Sequence, residues 1–263
     1  MKVLVPVKEV AIVDDEFEID GTAIGDQYLG GDLNEWDDYA LEEAVQFRED
    51  GIVDEVVTVT IGDGDTEQTI RQALAKGADR AIRVWDDALK GIDLLDVGAK
   101  VTILEAVVEA EEPDLVLTGV QSGDDSFGAT GVALGEAVGY QWGAVINQLD
   151  LGGSGNLASV HRELEGGIEE LTEIELPAVL TIQTGINEPR YASLRGIRMA
   201  QRKQLDYQTL PDLDLDAEAV AGTLRLIEMY EPESENDTTV YEGSAEDTAA
   251  QLADLLREKG VAQ

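Results

Sequence analysis

Short runs of β-branched and other apolar residues alternate along this chain with longer stretches whose apolar positions recur every three or four residues. Lys2 to Lys8 and Asp54 to Ile61 are runs of the first kind, suited to strands buried on both faces. Between them Trp36, Ala40, Leu41, Ala44 and Val45 fall at helical spacing with acids on the other face, and Asn34 stands where a side chain can cap the helix. A second helix starts near Thr66, turns Ile70, Ala73 and Leu74 inward and stops at Gly77. A strand over Ala81 to Trp85 follows. Val97, Val101, Leu104 and Val108 then predict the buried stripe of a helix from about Leu94 to Ala110, and Pro113 introduces an apolar strand over Asp114 to Val120. This alternation of strand and helix predicts an α/β fold built on a mostly parallel, doubly wound sheet.

Beyond Gln121 the loop SGDDSFGATG leads into a helix ending near Gly139. Segments near Ala144 to Leu151, Leu157 to Leu164 and Ile168 to Leu176 are separated by GGSGN and GG, which predicts a β meander inserted before a core strand at Ala178 to Thr184. The core domain is expected to span residues 1–210. PDLDLDAEA reads as a linker, and residues 211–263 as linker plus arm, ending in an amphipathic helix over 245–259 that carries Ala249, Leu252, Leu255 and Leu256 and is expected to pack on a partner.

Charge changes this picture most. The chain has 56 acidic residues against 18 basic ones, a net charge of −38. Self-repulsion of that size disfavours a compact state in dilute buffer and is tolerated where molar salt shortens the screening length. The acids are spread through helices and loops rather than gathered in blocks, so the pattern reads as adaptation to salt and makes nucleic-acid binding improbable. The chain has no cysteine, which excludes thiolate-held clusters and a cysteine nucleophile, so a redox role needs a bound cofactor. No run of about 18 apolar residues occurs and the amino-terminal segment lacks signal-peptide features, so a cytoplasmic protein without membrane insertion is expected.

Candidate chemistry lies at two places. Pro6 to Val10, Gly62 to Thr66 and Gln121 to Gly131 follow strands of one parallel sheet, where backbone N–H groups can meet a phosphate. In the last of these, small residues permit close approach and hydroxyls can donate; a plain flexible turn is the alternative, because neither G-x-G-x-x-G nor a Walker sequence is present. The second place is NEPRYASLRGIRMAQRK, which gathers Arg190, Arg195, Arg198, Arg202 and Lys203 against the single acid Glu188. Positive charge retained in so acidic a chain suggests an acidic partner, with an internal ion-pair patch as the alternative. His161 is the only histidine, so a His-based triad or metal site is possible only around it, and its place in a hairpin predicts a surface position. Acid pairs such as Asp14-Asp15 read as solvated surface, so no metal site is expected.

Asn187-Glu188-Pro189-Arg190-Tyr191, followed by Ala192, Ser193 and Leu194, closely resembles the β subunits of electron transfer flavoproteins. The resemblance continues in LVPVKEV at Leu4 to Val10, ALEEAV at Ala40 to Val45, TIRQALAKGAD at Thr69 to Asp79, DLVLTGVQSGDD at Asp114 to Asp125 and RELEGGIEEL at Arg162 to Leu171. With the acidity, it indicates a haloarchaeal type. It implies a Rossmann-like, adenine-nucleotide-binding fold and a non-catalytic electron carrier, paired with an α subunit whose redox FAD sits at the shared interface. It further implies structural AMP in this subunit, held by Pro6, Asn34, Glu35, Trp36, Asp37, Ile61, Ser122, Gly123, Asp124, Asp125, Ser126, Phe127, Gly128, Ala129, Thr130, Gly131, Val132 and Ala133. Arg190, Tyr191, Leu194 and Arg195 would form a docking loop for acyl-CoA-type dehydrogenases, with electrons passed on to a membrane quinone reductase. Two departures bear on the nucleotide: Glu35-Trp36 replaces Pro-Phe, and Gly128-Ala129 replaces Asn-Gln. A second FAD in the AMP site, as in electron-bifurcating relatives, and a stand-alone ATP-binding α/β module are the alternatives.

Overall fold

The computed structural model describes residues 1–92, 94–152, 156–232 and 239–261, in two compact units, Met1–Glu228 and Met229–Gln263. In chain order the first unit contains strands β1 (Lys2–Pro6), β2 (Glu9–Val13), β3 (Ile19–Asp20), β4 (Ala23–Ile24) and β5 (Leu29–Leu33), helix α1 (Glu35–Glu49), β6 (Glu55–Ile61), α2 (Glu67–Lys76) and β7 (Arg80–Val84). There follow α3 (Val97–Glu111), β8 (Leu115–Gly119), α4 (Thr130–Val138), β9 (Gln141–Ile146), β10 (Gln148–Asp150), β11 (Leu157–Leu164), β12 (Ile168–Glu175), β13 (Ala178–Ile182), α5 (Leu194–Ala200) and β14 (Leu205–Gln208). The second unit contains α6 (Ala245–Glu258), none of whose residues is buried.

Seven strands form one sheet in the order β14-β7-β6-β1-β8-β13-β9, and every pairing within it is parallel. Successive residues of a strand face opposite sides, so the continuous apolar runs fill two cores at once. Val3, Val5, Leu115, Leu117 and Leu180 join Leu41, Ala44 and Leu74 of α1 and α2 on one face. Leu4, Val57, Val116 and Val179 join Ile103, Leu104 and Leu134 of α3 and α4 on the other. The chain leaves β1 for β6 and β7 on one side and returns with β8 on the other. That reversal opens a crevice at the carboxyl ends of β1 and β8.

Several elements depart from expectation. Residues 9–33 contain the antiparallel pair β2 and β5, with Val10 opposite Asp32 and Val13 opposite Leu29, and the small pair β3 and β4 beside it in sequence. The buried face of α3 is Ala99, Ile103, Leu104, Val107 and Val108, while Val97 and Val101 are only half-buried. The first meander segment divides: β9 extends the main sheet beside β13, and only β10 joins β11 and β12 in a three-stranded antiparallel sheet. Most of the turn GGSGN lies outside the described residues. Within α1 the acids Asp37, Glu42 and Glu43 are buried rather than solvent-facing. Gly77 ends α2 at φ 146°, and a Cβ there would lie 2.6 Å from Val45 Cγ1, so conformation and space both favour glycine. In the stretch read as linker, Leu213 and Val220 are buried in the second core, and Asp96 ties Thr223 and Leu224 to the start of α3 through their backbone N–H groups.

Candidate functional site

Three chain segments meet at the crevice between β1 and β8: the residues just after β1, the start of α1, and the loop from β8 to α4. Asn34 occupies the N-cap position of α1, but its side chain makes no cap bond. Instead Nδ2 donates to the Gln121 carbonyl at 2.8 Å and Oδ1 accepts from Gly123 N at 3.3 Å, so the residue holds the loop rather than the helix. Asp37, one helical turn on, accepts from Lys8 N at 2.8 Å and from Gly119 N at 3.1 Å, which staples α1 to the ends of both central strands. Burial pushes its carboxyl up to about 7, against the pull of the Lys8 N–H, the Asn34 side chain and the Gly119 N–H. Gly119 permits this approach, since a Cβ there would stand 2.5 Å from Asp37 Oδ1 and 2.6 Å from Trp36 Cβ.

The loop itself is held by charge. Lys8 Nζ donates to Asp124 Oδ1 at 2.5 Å, Asp125 Oδ2 at 2.8 Å and Ser122 Oγ at 3.1 Å. Lys100 Nζ, from α3, donates to the same Asp125 Oδ2 and lies 5.5 Å from the centre of the Phe127 ring. Asp125 Oδ1 accepts from the Ser122 hydroxyl at 2.8 Å and from Phe127 N at 3.2 Å. Burial opposes ionisation of both Asp124 and Asp125, yet Lys8, Ser122 and the Asp125 N–H hold the Asp124 carboxyl below the usual range, and Lys100, Lys8 and Ser122 do the same for Asp125. Lys8 lies in an expected segment but was not singled out as a cation, and Lys100 was missed. The one signal for such a pair was that Lys8 follows β1 and Asp124-Asp125 follow β8, strands that lie side by side in the sheet.

The loop and first turn of α4 are narrow. Ser126 and Gly128 have φ of 53° and 60°, and the Cβ that Gly131 lacks would collide with Thr118 Oγ1 and Thr181. Thr118 is 5% exposed and its hydroxyl has no partner among the described residues, so a free polar atom lies beside the first turn of α4. Of the other expected residues, Pro6 and Ile61 end β1 and β6 on the same sheet edge, and Trp36 is half-buried against Gly119 and Gly123. Ala129 precedes α4, and Thr130, Gly131, Val132 and Ala133 form its first turn. Glu35 is exposed.

The basic segment lies apart from the crevice. Arg190 bonds Glu42 through Nε at 2.8 Å and Glu49 through Nη1 at 2.6 Å, so it belongs to an internal ion pair on α1. Lys203 is likewise spent on the carbonyls of Leu74 and Ala78. Arg195 and Arg198 are exposed. Around them Tyr191 is 97% exposed, Leu194 78%, Met199 48% and Ile197 46%, an apolar patch inside a basic rim. His161 is half-buried on β11, with Nε2 3.5 Å from Glu169 Oε2, rather than on the surface.

A parallel, doubly wound sheet with a clamped, glycine-rich loop at its switch point defines an α/β protein of the class that binds ligands in that crevice. The model for the electron transfer flavoprotein domain matches residues 22–213. The chain is 43% identical to the electron transfer flavoprotein subunit beta of Methylophilus methylotrophus, with 98% of each chain covered. It is 32% identical to that of Bacillus subtilis and 33% identical to that of Bos taurus, again with 98% of each chain covered. The chain belongs to the electron transfer flavoprotein β-subunit family.

Proposed function

We propose that this chain is one half of a heterodimeric electron carrier. An α subunit holds redox FAD at the shared interface, and this subunit binds AMP as a structural nucleotide in the crevice between β1 and β8. FAD supplies the one- and two-electron chemistry when bound. This chain supplies no acid, base or nucleophile to the exchange; its residues shape the crevice and present a docking surface. Acyl-CoA-type dehydrogenases deliver electrons at the patch around Leu194, and a membrane quinone reductase receives them.

The observation that carries this reading is similarity to β subunits along nearly the whole chain, including the loop that closes the crevice. The crevice fits a phosphate in two respects: small residues at Gly123, Gly128 and Gly131, and backbone N–H groups at the start of α4. Counting cofactors tests the reading directly. Co-expressed with a candidate α subunit in molar salt and released by acid, the complex should yield one FAD and one AMP. Two FAD would assign the bifurcating alternative. A chain that stays monomeric and binds ATP would assign the stand-alone module.

A further inference from the structure

We propose that Asp125 sets the specificity of the nucleotide crevice by neutralising its two lysines, so that the site accepts a phosphate monoester and rejects a diphosphate. The inference rests on the nucleotide reading above and goes beyond it by assigning the residue that limits phosphate number.

Lys8 and Lys100 reach the loop from just after β1 and from α3, and both ammonium groups end on Asp125 Oδ2, with Lys8 also on Asp124. Two cations are thereby matched by two carboxylates, and the cluster has no net positive charge. A phosphate in this crevice meets neutral donors, the backbone N–H groups at the start of α4. Those suffice for one terminal phosphate. A second phosphate adds charge beside Asp124 and Asp125, with no free ammonium to offset it. Asp125 and Lys100 are mostly enclosed, with side-chain exposures of 11% and 13%, whereas Lys8 and Asp124 stand at 31% and 27%, so bulk salt screens the cluster only in part.

The two oxygens of Asp125 divide their work. Oδ1 holds the Ser122 hydroxyl and Phe127 N, and Oδ2 holds the lysines. Asp125→Asn can therefore keep the loop's internal bonds while releasing Lys8 and Lys100 to a ligand. Lys100→Met has the opposite effect on charge.

The test uses the co-expressed complex, stripped of nucleotide and titrated calorimetrically with AMP and with ADP at constant molar KCl. Asp125→Asn should raise the ADP-to-AMP affinity ratio by roughly five- to tenfold, the effect of removing one carboxylate charge at short range in a partly screened site. Lys100→Met should lower the ratio by a similar factor. A purely structural aspartate predicts that both variants weaken both nucleotides alike. An unchanged ratio in either variant, or shifts of the same sign in both, overturns the inference while leaving the AMP reading intact. If Asp125→Asn does not fold, the Lys100→Met ratio decides alone. A wild-type complex that retains FAD but binds neither nucleotide overturns both readings.

Discussion

Asp37 brings a carboxylate into the interior with two backbone N–H groups as its hydrogen-bond partners, and its burial has a consequence for stability. Its folded value of about 7 lies above the ordinary 3.8, so between those values the native state holds a proton that the unfolded chain has released. Stability from this group is therefore fully present below about 3.8 and is lost as pH rises through about 7. Asp37→Asn removes that titration, at the cost of one acceptor for Lys8 N or Gly119 N. Urea unfolding at constant molar salt should show wild type losing on the order of 1–3 kcal/mol relative to the variant between pH 4 and pH 7. Parallel profiles would show that Asp37 stays ionised throughout. The sequence marks Asp37 as a site residue only through family likeness. Its stapling role was hidden, because Lys8 and Gly119 lie 29 and 82 positions away.

At the scale of elements, α5 and the residues before it separate a structural charge from an exposed apolar patch. Arg190 is anchored on Glu42 and Glu49 of α1, and burial, which raises the Glu42 carboxyl, is outweighed by the bonds from Arg190 and Gln46 together, so that it lies below its ordinary value. Removing Arg190 leaves a nearly buried carboxylate without its cation. Arg190→Met should therefore lower stability by about 1–3 kcal/mol. Leu194, which is mostly exposed, should behave oppositely. Leu194→Ala should leave melting and bound FAD unchanged while slowing reduction by an acyl-CoA-type dehydrogenase about tenfold at limiting carrier, the scale of a hot-spot truncation. An unaltered rate would remove Leu194 from the docking surface. The core strands were legible because burial on both faces leaves continuous apolar runs. The face of α3 was not, since valine, isoleucine and leucine surround much of that helix and its period alone does not choose a side. The pair β2 and β5 was hidden for another reason: Leu29–Leu33 reads LGGDL, and backbone pairing rather than side-chain pattern makes it a strand. Within β9 the pairing with β13 shifts register at Val145, whose φ of 62° is rare for a β-branched residue and whose N–H turns to Thr181 Oγ1, just before the strand gives way to β10.

Over the whole molecule, cations are too few for the acids, and the fold shares them. Lys8 serves Asp124 and Asp125, Arg80 serves Glu55 and Glu111, and Arg190 serves Glu42 and Glu49. Each shared cation fixes elements distant in sequence, so these pairs act as cross-links between α1, α3, the sheet and the crevice loop. With 18 basic residues against 56 acids, most surface carboxylates still face one another without a protein cation. Their repulsion acts over about 10 Å at 0.1 M salt and about 3 Å at 1 M, which is shorter than most spacings between surface charges. Dialysis from molar KCl into dilute buffer should therefore lower the melting temperature and the folded fraction. Because the shared pairs are partly enclosed, they should resist dilution longer than the exposed acids do. Circular dichroism recorded across a KCl series checks the first point. The same series in an equally concentrated osmolyte of zero charge separates screening from exclusion: stability restored by salt but not by the osmolyte assigns the effect to charge, and equal restoration by both would assign it to preferential hydration instead.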